Sequence, residues 1–339
     1  MAQYSNITKP AFYVPLCDYL QSVGNIKYKD DPLNDIHLLN PTKIHKLELP
    51  ADQDIAYEVE FKGSLPIEAV TDSDGYIYIF ILGHNFEEIN ASIQIELIED
   101  GSYVQPNTRI SIVNDNYVSA PSYNGFSIFK AKYSASNIDG YRIIIASDSE
   151  SQNVKIGCVS LCSKWNPPHS PDLSLTMTRA YDGVDTVRTR GGATLSNASH
   201  TRGGTYWANS YAWELTTTDR DQGVDFINEM ERTLGRRIWN VNFSYINDED
   251  IMPKSESTHG YETSLTAKSD FNLYSQSFFS RVLNRIQGSH IPFIFQPNDT
   301  DPNYNPDQWA IARLTQDSLV LNQVANNVYD IAMNITESY

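Results

Sequence analysis

Basic residues, cysteines and long apolar runs are all scarce in this 339-residue chain. Lysine and arginine number 25 against 42 aspartates and glutamates, leaving a formal net charge of −17. The acidity is spread evenly, −9 over residues 1–165 and −8 over the rest. Such a field repels phosphate, so neither nucleic acid nor an anionic membrane is expected as a partner. Three cysteines, Cys17, Cys158 and Cys162, make an odd count and no disulfide framework. Cys158 and Cys162 share one face of an apolar strand, about 12 Å apart at ~3.3 Å per residue, which is too far for a bridge. They read as small core residues of a protein kept in a reducing compartment. No apolar run approaches the ~18 residues of a membrane-spanning helix. The opening MAQYSNITKP lacks the basic-then-apolar layout of a secretory signal, so synthesis in the cytoplasm is expected.

The signatures of catalysis are missing as well. The sequence holds no HExxH, CxxC, GxSxG or phosphate-loop pattern. A zinc site, a nucleophile elbow and a nucleotide cradle are therefore not signalled, and the reading is of a non-enzyme without a cofactor. A glycosidase carboxylate pair would leave no spacing in the sequence, because its members come from distant strands.

What is present is β-structure. Tyrosine is abundant, at 21 residues, and aromatics make up 12% of the chain, which suits pleated sheets. The stretch Tyr76 to Glu99 reads as a strand, a polar turn at Gly83-His84-Asn85, and a second strand, together a hairpin. The first strand is apolar at nearly every position and so is expected to be buried on both faces. The second alternates: Ile93, Ile95 and Leu97 point inward, Gln94 and Glu96 toward water. Further strands are expected at Phe12–Val14, Lys43–Leu49, Ile55–Phe61, Arg109–Val113, Gly125–Lys132, Tyr141–Ala146 and Val154–Leu161. A short helical turn, Asp18 to Val23, ends at Gly24. Some eight strands punctuated by Gly, Pro, Asn and Asp argue for a β-sandwich or jelly roll over residues 1–163.

Residues 164–172, KWNPPHSPD, hold three prolines in nine positions and read as a linker. Residues 173–339 read as a β-barrel-like domain with one packed helix. Alternating strands with Gly-Gly turns come first, the unit Thr-Arg-Gly-Gly occurring at 189–192 and 201–204. The strand Arg237–Ile246 follows. The helix is expected over about 270–287, with Phe271, Tyr274, Phe278, Val282 and Ile286 as its apolar stripe. Arg281 and Arg285 would complement its C-terminal dipole, and Gly288 would end it. The strands Ile291–Phe295, Trp309–Leu314, Ser318–Leu321 and Val328–Ile335 close the chain.

Candidate sites are few. His84 and Asn85 read as turn residues bonding backbone, with a ligand contact as the alternative. Asp299, Asp301, Asn303, Asn305 and Asp307 place an oxygen at every second position, like the start of a calcium loop. The sixth position is Tyr304 and not Gly, and the twelfth is Ala310 and not Glu, so a solvated loop is the better reading. The RGG units sit in acidic surroundings and read as hairpin turns, not RNA-binding segments. Tyr206, Trp207, Tyr211 and Trp213 read as core and interface, with sugar stacking as the alternative. Tyr117 and Tyr123 are the loop aromatics to consider for carbohydrate.

Three segments resemble tail-associated structural proteins of tailed bacteriophages. They are FYVPLCDYLQSVG (Phe12 to Gly24), IFILGHNF with the later GYRIIIA and VKIGCVSL, and the C-terminal run through IPFIFQPND, WAIARL and YDIAMNITES. The middle segments look like the galactose-binding-like sandwich often built into such proteins. The last is similar to the helix-plus-barrel domain of minor and distal tail proteins. Asp219 to Gly235 matches no part of this pattern. The resemblance implies a virion component of the tail or baseplate. Its expected partners are copies of itself in a ring, other tail or baseplate proteins, and a host-surface glycan if the protein serves as an adhesin. A carbohydrate-binding adhesin is the second reading and a glycan-cleaving enzyme the third.

Overall fold

The computed structural model describes residues 7–27, 35–39, 43–50, 54–86, 89, 91–111, 126–146, 152–180, 184–198, 236–253, 275–299 and 309–338. The chain is mostly β, as its patterning predicts. In order come β1 (Ala11–Pro15), α1 (Leu16–Ser22), β2 (Ile26–Lys27), β3 (His45–Leu49), β4 (Asp54–Pro66) and a 3-10 turn (Ile67–Ala69). Then follow β5 (Ile77–Leu82), β6 (Ser92–Glu99), β7 (Ser102–Val104), β8 (Pro106–Ser111), β9 (Phe126–Tyr133), β10 (Asn137–Ala146), β11 (Gln152–Ile156) and β12 (Cys158–Trp165).

Strands β2-β4-β10-β6-β7 form one sheet, and β5, flanked by β12 and β9, belongs to another. Their inner faces share a core. Tyr57, Val59 and Phe61 of β4, Ile93, Ile95 and Leu97 of β6, and Tyr141 and Ile143 of β10 meet Ile77, Ile79 and Ile81 of β5 and Leu161 of β12. This is a two-layer sandwich. All six residues of β5 are buried, as their apolar run requires. Ile77, Ile79 and Ile81 face this core, while Tyr78, Phe80 and Leu82 enter a second cluster on the other side of the sheet.

The hairpin expected at Gly83-His84-Asn85 is not one. The strands it joins lie in opposite layers, β5 pairing β9 and β12, and β6 pairing β7 and β10. The composition explains the crossing. A strand apolar at every position needs cover on both faces and takes a central place, whereas β6, with alternating polar residues, suits an outer layer. The single strand expected over Val154–Leu161 is likewise two strands broken at Gly157, β11 pairing β3 and β12 pairing β1 and β5. At Gly140, where β10 bulges against β4, an added Cβ would collide with the Val59 carbonyl, so only glycine fits.

The second half adds β13 (Thr176–Ala180), β14 (Val184–Arg188), β15 (Thr194–Ala198), β16 (Arg236–Asn247), α2 (Asp248–Ile251) and a π-helical turn (Phe279–Leu283). It ends with β17 (Phe293–Gln296), β18 (Ala310–Leu314), β19 (Leu321–Ala325) and β20 (Val328–Glu337). Apart from β14 and β15, which pair with each other, these strands do not build a separate sheet. The order β13-β16-β20-β18-β17-β1-β12-β5-β9-β8 runs through both halves, and β1 is the strand that joins them. It pairs β12 on one side and β17 on the other. Phe12 and Val14 face the core of the second half, where Phe12 lies 5.3–6.1 Å from the rings of Trp165, Phe278, Phe293 and Phe295. Ala11 and Tyr13 face the opposite cluster, Tyr13 lying 5.1–5.4 Å from Tyr78, Phe80 and Trp309.

The helix expected over 270–287 is reduced, among the described residues, to turns from Ser277 to Gly288 with a π-helical centre. Its stripe is right: Phe278, Val282 and Ile286 are fully buried, and Gly288, at φ 76°, follows the last turn. Phe271 and Tyr274 lie outside the described residues. The arginines are placed differently from the expectation. Arg281 and Arg285 are fully buried and reach across to the 3-10 turn of the first half. Arg281 donates from its two Nη atoms to the carbonyls of Ala69 and Glu68, both at 2.6 Å, and Arg285 donates to Ala69 at 2.6 Å. They cap another helical turn's orphan carbonyls instead of their own.

Candidate functional site

Among the described elements the hairpin of β14 and β15 is the most exposed. Among the described residues its two strands pair only with each other, with Val187 opposite Leu195 and Arg188 opposite Thr194. The turn follows from its sequence. Gly192 N–H bonds the Thr189 carbonyl at 3.0 Å, Gly192 takes φ 84°, and the Thr189 hydroxyl closes the loop onto Ala193 at 3.1 Å. This is a three-residue hairpin loop, which needs glycine at the left-handed position. The RGG at 190–192 is thus a turn, as expected; the second unit lies outside the described residues.

From Asp185 to Asn197 every residue is exposed except the half-buried Thr189. Val187 is 63% and Leu195 60% exposed, a facing apolar pair held in water. A lone two-stranded hairpin is only marginally stable. The arm carries Arg188 and Arg190 against a single carboxylate, Asp185, on a chain whose net charge is −17. Charge and apolar surface together fit it for contact with an acidic protein face.

The residues singled out from sequence fall elsewhere. His84 is buried and structural: its Nδ1 accepts the Phe86 N–H at 3.3 Å, its Nε2 lies 2.7 Å from the Ser127 hydroxyl, and its ring stacks on Phe86. Asn85 clamps β11, donating to the Asn153 carbonyl and accepting the Lys155 N–H. Of the five calcium-loop candidates, Asp299 alone is described. Its carboxylate is held by Lys164 at 2.7 Å and Asn166 at 3.0 Å, while its N–H bonds the Lys9 carbonyl. It ties the proline-rich segment to β1's entry and β17's exit. Asp301, Asn303, Asn305 and Asp307 lie outside the described residues, as do Tyr117, Tyr123 and the cluster Tyr206, Trp207, Tyr211 and Trp213. The three cysteines are free and buried. Burial pushes the Cys17 thiol up to about 12, which keeps it an unreactive thiol. Among the described residues no group of three His, Cys, Asp or Glu side chains converges as a metal site.

One polar cluster gave no sequence signal. At the side of α1, Asp18 accepts the Leu39 N–H at 3.4 Å through Oδ1, and its Oδ2 is buried without a partner. Beside it His37 bonds the Gln21 Oε1 through Nε2 at 2.7 Å, so Nε2 carries the proton. Burial pushes Asp18 up to about 7 from 3.8 and His37 down to about 4 from 6.5. Both are therefore held neutral in mildly acidic solution. For Asp18, the folded chain binds the proton more tightly than the unfolded chain, so its contribution is fully present below pH 4 and is lost as pH rises through about 7. His37 acts oppositely, with stability lost as pH falls from 6.5 toward 4. Asp18→Asn should leave stability unchanged near pH 4 and raise it by about 2 kcal/mol at pH 8, the full shift being discounted for the residue's partial exposure. Urea unfolding of both proteins across pH 4–8 checks this. A difference that does not change with pH would refute the placement of the charge.

No family model matches the chain, and neither does a curated protein or a solved structure.

Proposed function

We propose that this chain is a structural component of a bacteriophage virion, a minor or distal tail or baseplate protein that assembles with copies of itself into a ring. The observation that carries the reading is the β14–β15 arm, an exposed hairpin with an apolar pair and a basic tip on an acidic body. Such an arm gains its missing cover by lying on a neighbour, and repetition of that contact around an axis closes a ring. The body is suited to rigidity: β1 stitches both halves into one sheet, and buried arginines fasten one half to the other. The tail setting comes from the resemblance of the three segments quoted above. Assembly in the cytoplasm of the host and residence in the virion tail follow from that setting.

The test is negative-stain electron microscopy with light scattering on the purified chain. Rings or stacked rings are expected at high concentration. Val187→Asp with Leu195→Asp should convert them to monomers while the unfolding temperature stays within about 2 °C, since exposed substitutions change stability little. Monomers of the unaltered chain at every concentration, or rings indifferent to the double change, would overturn the reading.

A further inference from the structure

The outer face of the five-stranded sheet carries a cleft of about 340 Å³, lined by residues of β2, β4, β7 and β10. A carboxylate–guanidinium row runs beside it, with Glu58 as the member that lines the cleft. Arg142 of β10 lies in register between Glu58 of β4 and Glu96 of β6. Its Nε and Nη2 both bond Glu96, at 2.8 Å for Nε. Glu96, expected to face water, is 3% exposed because Arg142, Gln94 and Gln105 converge on it.

Tyr103 of β7 folds over this row. Its ring sits 3.4 Å above the Arg142 guanidinium, and its hydroxyl donates to Glu58 at 2.6 Å. The bond to Glu58 also holds the phenol's proton in place, raising its pKa. One ring face is thus occupied by the guanidinium and the ring's angle is fixed at its far end. Yet the residue is 45% exposed, so the other face is presented outward. Beside it stand Glu60, paired with Lys27 at 3.2 Å, then Lys62, and Asp139, which accepts the Ser64 hydroxyl and the Asp100 N–H.

We infer that this cleft is a binding site for a neutral saccharide of one or two rings. An immobilised aromatic face receives the C–H face of a pyranose, and the rim alternates donors with acceptors as a hydroxyl-bearing ligand needs. The lining sets Lys27 and Lys62 against Glu58, Glu60 and Asp139, an excess of negative charge that disfavours an anionic ligand. The volume lies at the small end of the range for small-molecule sites, about 300–1,000 Å³. This site is independent of the arm and stands whether or not the chain forms rings.

Saturation-transfer NMR on the full chain tests it, with galactose, glucose, N-acetylglucosamine, lactose and cellobiose as probes and glucuronate as the anionic control. At least one neutral probe should receive saturation on its ring C–H protons, with glucuronate weaker. Tyr103→Ala should weaken binding at least tenfold, whereas Tyr103→Trp should retain it. If Tyr103→Ala lowers the unfolding temperature, the exposed rim changes Lys62→Met and Ser64→Ala replace it and should weaken binding at least threefold together. Silence from every neutral probe, a preference for glucuronate, or binding indifferent to these changes would overturn the site.

Discussion

Glu337→Ala should destabilise the fold by about 3–5 kcal/mol and lower the unfolding temperature by roughly 4–7 °C. Glu337 and Arg237 face each other on the adjacent strands β20 and β16, with side chains 3% and 4% exposed. The contact is a fork. Arg237 Nη2 donates to Oε1 at 2.7 Å and Nε to Oε2 at 3.1 Å, and the Arg237 backbone N–H adds 2.9 Å to Oε2. The remaining reach of Nη2 goes to the Trp309 carbonyl at 2.7 Å. Removing the carboxylate leaves a guanidinium and a backbone N–H in a place that water does not supply, which is why breaking such a pair costs more than the pair is worth. Glu337→Gln keeps one acceptor oxygen but sets an NH2 against an Arg237 donor and loses the charge, so it should recover at most about half of the loss. Thermal and urea unfolding of the three proteins measure this. A loss under about 1 kcal/mol for Glu337→Ala would show that the pair is not closed in solution.

Arg281→Met should have a comparable effect, about 3–5 kcal/mol, but with a different local signature. Arg281 makes three bonds to carbonyls: Ala69 and Glu68 at 2.6 Å and Ser275 at 3.1 Å. Burial pushes its pKa down to about 10, so it is still charged at neutral pH. Methionine fills the volume and offers no donor, so the Glu68 carbonyl loses its Arg281 bond and the Ala69 carbonyl keeps only the bond from Arg285. Arg281→Lys restores the charge without the planar fork and should recover less than half of the loss. Hydrogen exchange separates this from a general loosening: protection should fall first around 67–71 and 277–288. Uniform loss, or none, would contradict the bridging role.

The sequence showed what is local. β5 was legible because six apolar residues in a row can only be covered on both faces, and β16 because it alternates as far as Phe243, beyond which a bulge shifts the register. The stripe Phe278, Val282 and Ile286 announced a helical turn. The partners of those elements were not legible. Nothing in Gly83-His84-Asn85 distinguishes a hairpin turn from a crossing between layers, because the difference is made by residues far along the chain, on β9, β10 and β12. Arg281 and Arg285 have the spacing of helix-end cations, and only the position of the 3-10 turn turns them inward. The arm's turn was read correctly from its glycines, but its exposure was not, since Val187 and Leu195 look like any buried strand pair. Tyr103 gave no signal: its neighbours Arg142 and Glu58 are forty residues or so distant and meet it only through sheet register.

β1 has a consequence for the order in which the molecule is made. It is made well before one of its partners, since Tyr13 meets Gln296, 283 positions later. Its other neighbour, β12, emerges about midway. Until β17 is synthesised, β1 has one open edge, and Phe12 lacks two of the rings that surround it, Phe293 and Phe295. The sandwich can condense before β17 is made, but the sheet closes only afterwards, when contacts of very high sequence separation form. A chain that stops before β17 therefore displays an aromatic strand with one open edge, a surface prone to adventitious pairing.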